Sequence, residues 1–252
     1  MNKNFKFSSV LEKIFETKMT IDRIGVNRNI DDMISRAEAN VLMNMIKLSK
    51  SSVTLEVGLA HGASALVFCQ ALSETGIKNS IHYAIDPNQL TTYGSAALCA
   101  IEKAGYSDIL KLCSGPSHME IPQLIEKSII LDCAFIDGWH TFDYTLIDFF
   151  LIDKILKIGG YIAFHDGYGR AKQKVVNFIL SHRKYEIDLD QMNFNDESFI
   201  KVMKFFVWRI YKEPMLLFSW FHWKYQTKRT SGLIILKKIE DYEPEYSFYK
   251  SF

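Results

Sequence analysis

Residues 53–62, Val-Thr-Leu-Glu-Val-Gly-Leu-Ala-His-Gly, constrain the fold more than any other stretch of the chain. Val53–Val57 is a short apolar run with β-branched residues and reads as a buried strand. Gly58 and Gly62 frame a tight turn, and 63–72 continues as a helix. Glycine in such a turn supplies positive φ or lets backbone approach a ligand closely. Strand, glycine turn and helix open a parallel α/β sheet, and ligands bind such sheets outside the carboxyl ends of the strands. Glu56 sits at the end of the apolar run, where a carboxylate is costly without a partner or a ligand.

The unit then repeats. Residues 81–86 read as a second strand stopped by Pro87, 109–113 as a third, 131–137 as a fourth closed by Gly138, and 161–166 as a fifth closed by Gly167. Helices are predicted over 92–104, over 119–127 (interrupted early by Pro122), over 141–156 with Gly159-Gly160 as its stop, and over 171–183. A sixth strand fits 185–189 and a last one 232–236. Five βα units in succession predict a doubly wound, mostly parallel sheet with helices on both faces. Glu56, Asp86, Asp137, His165 and Asp166 all fall at strand carboxyl ends, so four separate strands deliver polar groups to one rim. Asp143 and Asp148, on the helix after the fourth strand, read as a first-turn acid and an exposed-face acid.

The flanks are patterned differently. A short helix near 9–18 and a loop through Gly25 precede a stronger helix from Asp31 or Asp32 to Lys50, with Met33, Ala37, Val41, Met45 and Leu48 on one face. Residues 1–50 are thus expected to form a helical cap, 51–189 and 230–240 the core, and 190–229 an insertion before the last strand, within one domain over 1–252. The insertion interleaves aromatics such as Phe205, Trp208, Trp220 and Trp223 with lysines and arginines. It fits a lid on the site, a contact between subunits of a homo-oligomer, or a membrane-surface contact through 205–225.

A net charge of +1 offers no global attraction for nucleic acid. The four cysteines include no C-x-x-C pair, as expected of free thiols in a reducing compartment. No apolar run approaches the roughly 20 residues that span a bilayer, and the first residues lack the apolar stretch of a secretion signal. A cytoplasmic protein is the expectation.

Leu55-Glu56-Val57-Gly58-Leu59-Ala60-His61-Gly62 resembles the first motif, E-x-G-x-x-x-G, of class I S-adenosylmethionine-dependent methyltransferases. Ala60 stands where the G-x-G-x-x-G of nicotinamide enzymes needs a second glycine. Four further matches follow in order: Ile85-Asp86, Ser114-Gly115-Pro116-Ser117, Phe135-Ile136-Asp137-Gly138-Trp139-His140, and Gly159-Gly160 through His165-Asp166. The last two are similar to bacterial sugar and natural-product O-methyltransferases and to the catechol O-methyltransferase group. The resemblance covers about 30–185 and 230–240 and implies a seven-stranded Rossmann-like methyltransferase sheet.

It also implies roles. Glu56 and Gly58, with Gly62 in the same turn, would line the methionine end of S-adenosylmethionine; Asp86 would hold its ribose hydroxyls; Ser117 and His118 would lie near its adenine, with Asp137 close by. Asp137, His165 and Asp166 occupy the positions of ligands to magnesium or another divalent metal, and His140 stands where the catechol group carries its general-base lysine. The departures are that histidine, and that His165 stands where an acid is usual. The reaction implied is metal-assisted O-methylation of a sugar or similar hydroxylated small molecule. A metal-independent enzyme with His140 as base, on oxygen or nitrogen, and a non-catalytic module that keeps the cofactor fold are the alternatives.

Overall fold

The computed structural model describes residues 5–188 and 232–252, with positions 203, 204, 207, 208, 210, 211 and 214 between them. The insertion expected over 190–229 therefore falls almost wholly outside the described residues. Helix α1 (Ser9–Thr17), a hairpin of β1 (Met19–Ile21) and β2 (Asn27–Asn29), and helix α2 (Arg36–Leu48) lead into the sheet. Its strands are β3 (Val53–Val57), β4 (Ile81–Ile85), β5 (Leu110–Cys113), β6 (Leu131–Ile136), β7 (Leu156–Phe164), β8 (Tyr185–Ile187) and β9 (Ile234–Lys238). Between them run α3 (Ala63–Thr75), α4 (Ala96–Lys103), α5 (Ser117–Glu126), α6 (Phe142–Asp153) and α7 (Arg170–His182).

The seven strands lie in the order β5-β4-β3-β6-β7-β9-β8. All neighbours from β5 to β7 are parallel, and β9 runs antiparallel to both β7 and β8. Helices α1 to α4 pack together as one group and α5 to α7 as another. With helices over both faces, the central strands bury both sides, which is why β3, β4 and β6 read as near-continuous apolar runs. Strands β3 and β6 are neighbours whose chains depart to opposite halves of the sheet, which makes their carboxyl ends the switch point where such sheets bind ligands.

Four local expectations are corrected. Helix α2 starts at Arg36, not at Asp31 or Asp32. Ser35 and Glu38 close a reciprocal capping box, which satisfies two N-terminal donors at once. That leaves Asp31 and Asp32 on an irregular approach to the sheet. The loop through Gly25 is the turn of the β1–β2 hairpin. Gly159-Gly160 is no helix stop: it lies inside β7, where Gly159 holds φ +78° beside a register shift opposite Leu131–Cys133. Helix α5 begins at Ser117 and carries Pro122 within it. All four cysteines are free thiols. Among the described residues no helix is long and apolar enough to cross a membrane.

Candidate active site

At the switch point the ends of β3, β4 and β6 are tied together by backbone. The Gly58 amide donates to the Ile85 carbonyl and the Asp137 amide to the Val57 carbonyl, each at 2.9 Å. Gly58 holds φ +95°, and a Cβ there would collide with the Asp137 carbonyl oxygen. The glycine is therefore needed by the approach of two strand ends as much as by any ligand. A cavity of about 690 Å³ opens over this junction, a size ordinary for a cofactor or small-molecule site.

Asp86 lines the cavity and is nearly buried. Its Oδ2 accepts from the Ala60 amide and its Oδ1 from the Asn88 amide, each at 2.8 Å. The carboxylate thus fixes the glycine turn to the end of β4. Glu56 lies elsewhere than expected. It is wholly buried beneath the floor and absent from the lining. Its Oε2 accepts from the Ser64 hydroxyl at 2.6 Å, while Oε1 lies 3.1 Å from His82 Nε2, off the hydrogen-bonding line. His82 in turn shares 2.8 Å with the Thr54 hydroxyl and stacks on Phe68. Gly62 caps α3 against Ala97 and also lies outside the lining.

On the far wall Ser117 lines the cavity, whereas His118 is exposed on the first turn of α5 and outside it. Asp148 is corrected from an exposed-face acid to a buried one that lines the cavity. Burial pushes its pKa up to about 6, against the pull of Ser117, His118 and Lys172. Asp143 is exposed, as expected.

The reactive-looking end lies after β6 and β7. Ligand atoms of Asp137, His140 and Asp166 all fall within 4.8 Å of one another. His140 Nδ1 stands 3.6 Å from Asp166 Oδ2. Asp166 holds φ +50°, a left-handed conformation that costs a non-glycine residue energy and recurs at functional sites. His165 also lines the cavity and lies against two of this trio, its Nδ1 being 3.6 Å from Asp166 Oδ2 as well as close to Asp137. Its Nδ1 lies 3.1 Å from Asp137 Oδ1 and its Nε2 faces Glu38 Oε2 at 3.6 Å. Burial opposes charge on this ring, but Asp137 and Glu38 outweigh it and hold its pKa well above the ordinary value. Burial likewise works against the Glu38 carboxylate, and His165 and Ser35 reverse that and bring it down to about 2.

Two residues of this network were not singled out from the sequence. Glu38 had a signal, the Ser35-x-x-Glu38 spacing of a capping box, but that pattern announces a helix start and not a partner for His165. Its Oε1 also accepts from the Gly232 amide at 3.0 Å, where the chain enters β9. Lys172, buried on α7, brings its Nζ to 3.8 Å from Asp137 Oδ1. Burial lowers its pKa, with Asp137, Asp166, Asp148 and Asp32 opposing. A lysine in an amphipathic helix carries no mark in sequence that it points inward.

Residues 55–167 match the family model of a methyltransferase domain. The matched segment runs from β3 through the end of β7 and contains Asp86, Asp137 and Asp166. No curated protein matches it by sequence. Among solved structures it is similar to the O-methyltransferase TomG of Streptomyces achromogenes, determined with S-adenosylmethionine, at 15% identity over 72% of this chain and 82% of that one, TM-score 0.58. An O-methyltransferase of Bacillus cereus with S-adenosylhomocysteine aligns at 14% identity over 73% and 84%, TM-score 0.59. The methyltransferase PaMTH1 of Podospora anserina, also with S-adenosylhomocysteine, aligns at 18% identity over 73% and 84%, TM-score 0.58.

Proposed function

We propose that the chain transfers a methyl group from S-adenosylmethionine to a hydroxyl of a sugar or similar small molecule, with a divalent ion held by Asp137, His140 and Asp166. The observation that carries this reading is the convergence of those three side chains on one rim of the cavity. Two carboxylates and an imidazole suit a cation between hard and borderline, such as Mn²⁺. His140 replaces His165 in the ligand set, because both ring nitrogens of His165 already face carboxylates. A divalent ion held there would lower the pKa of the acceptor hydroxyl. The acceptor oxygen bonds to the methyl carbon as the carbon–sulfur bond breaks, the sulfonium leaves as a neutral thioether, and the hydroxyl proton passes to solvent.

The chain's own work is placement. Asp86 receives the ribose hydroxyls, and Ser117 with Asp148 lies toward the base. Asp31, Asp32 and Met33, from the approach to α2, line the acceptor side together with Trp139. Trp208 meets Tyr168 edge to face at 6.4 Å, two residues beyond Asp166, which supports a lid role for the insertion. Holding the hydroxyl in line with the methyl is proximity catalysis.

One observation favours a second, metal-independent reading. With Nδ1 toward Asp166, His140 keeps Nε2 for the acceptor, as a base steadied by a carboxylate. Turnover of a panel of sugar and catechol acceptors, with and without chelator, separates the two. The metal reading predicts that chelation abolishes turnover and Mn²⁺ restores it. Full turnover under chelation, with loss in His140→Ala, selects the second.

A further inference from the structure

We infer that Lys172 is a built-in counter-cation of the acid cluster, holding Asp137 in place and weakening the cluster's grip on a divalent ion. The inference rests on the proposed ion site at Asp137, His140 and Asp166. Lys172 is 2% exposed and its Nζ makes no hydrogen bond. An ammonium buried that way costs stability, and an apolar side chain of similar length is cheaper to bury. It therefore earns its place through charge. The nearest carboxylate is Asp137, whose Oδ1 it approaches at 3.8 Å from α7 while His165 Nδ1 reaches the same oxygen at 3.1 Å. Two cationic neighbours thus share one oxygen of Asp137. An ion held by Asp137 would sit within a few ångströms of the Lys172 charge, where the protein interior screens poorly. The ammonium consequently subtracts from ion affinity while it fixes the ligand.

The test uses the full chain as wild type, Lys172→Met, Lys172→Gln and Lys172→Arg, titrated with Mn²⁺ by calorimetry and by loss of the free-ion resonance signal. Both neutral variants are expected to bind Mn²⁺ about tenfold or more tighter, and the charge-keeping arginine to stay near wild type. Without Mn²⁺, Lys172→Met is expected to unfold at a lower temperature than wild type, because the acid cluster loses its counter-cation. Added Mn²⁺ is expected to raise the variant's unfolding temperature more than that of wild type, which a merely supportive lysine would not produce. Equal or weaker Mn²⁺ binding in both neutral variants overturns the counter-cation and leaves the ion site standing. Absence of Mn²⁺ binding in wild type and variants alike overturns both.

Discussion

Asp137→Asn lowers turnover by about two to three orders of magnitude and leaves S-adenosylhomocysteine binding within about threefold of wild type. Asp137 is where the site's contacts meet. Its amide is tied to Val57, its carbonyl closes on Gly58, and its Oδ1 receives His165 and Lys172. Asparagine preserves the backbone ties that shape the cofactor cavity. It removes the charge that offsets two buried cations and, in the proposed reaction, would supply an ion ligand. Catalysis falls while the cavity remains. Single-turnover rates with an acceptor from the panel, set beside a calorimetric titration, read the two effects separately. Turnover within about tenfold of wild type would show that Asp137 has no part in the chemical step.

The second large effect is on stability. Glu38→Gln is expected to destabilise the fold by about 3 kcal/mol at neutral pH, by linkage. In the folded chain Glu38 takes up its proton at about pH 2, against an ordinary value of 4.5. The unfolded chain protonates first as acid is added, so the stabilisation is complete above about 4.5 and drains away as pH falls toward 2. His165 runs the other way. Its pKa is raised, so its contribution is complete below 6.5 and is lost only as pH climbs through a folded value well above that. The two residues describe one interaction, which counts once and is strongest between those limits. Denaturant melts from pH 2 to 8 should show the acid limb between 4.5 and 2 flattened in the glutamine variant. An unchanged limb would mean that the charge on Glu38 does not hold the network together.

Much of this architecture was visible in apolar runs and glycines. Strands β3, β4 and β6 are buried on both faces, so their residues leave little choice but a central parallel strand. Acids at strand ends announced the rim, and Asp86, Asp137 and Asp166 all line the cavity. What escaped was direction. Glu56 lies inside β3, in register with Ala84, whereas Asp86 lies one residue past the end of β4; two residues deeper in the sheet, Glu56 meets Ser64 and His82 in the core. His165 and Asp166 are adjacent and stay within 3.6 Å, but His165 also faces Glu38 while Asp166 also faces His140, and no sequence pattern announces either partner. Asp148 followed the same logic on a helix, since α6 is apolar nearly all round and offers no clear outer face. Asp31-Asp32 looked like a helix cap because aspartate commonly is one. The capping box at Ser35 prevailed and left both acids free to line the cavity.

The central claim is that the β3–β6 junction binds S-adenosylmethionine with Asp86 on its ribose. Calorimetric titration of S-adenosylhomocysteine into the wild-type chain and into Asp86→Ala tests it most directly. Micromolar binding by wild type, weakened about a hundredfold or more in the variant, is the result predicted. No binding by a folded wild-type chain, or equal binding by both, would contradict it.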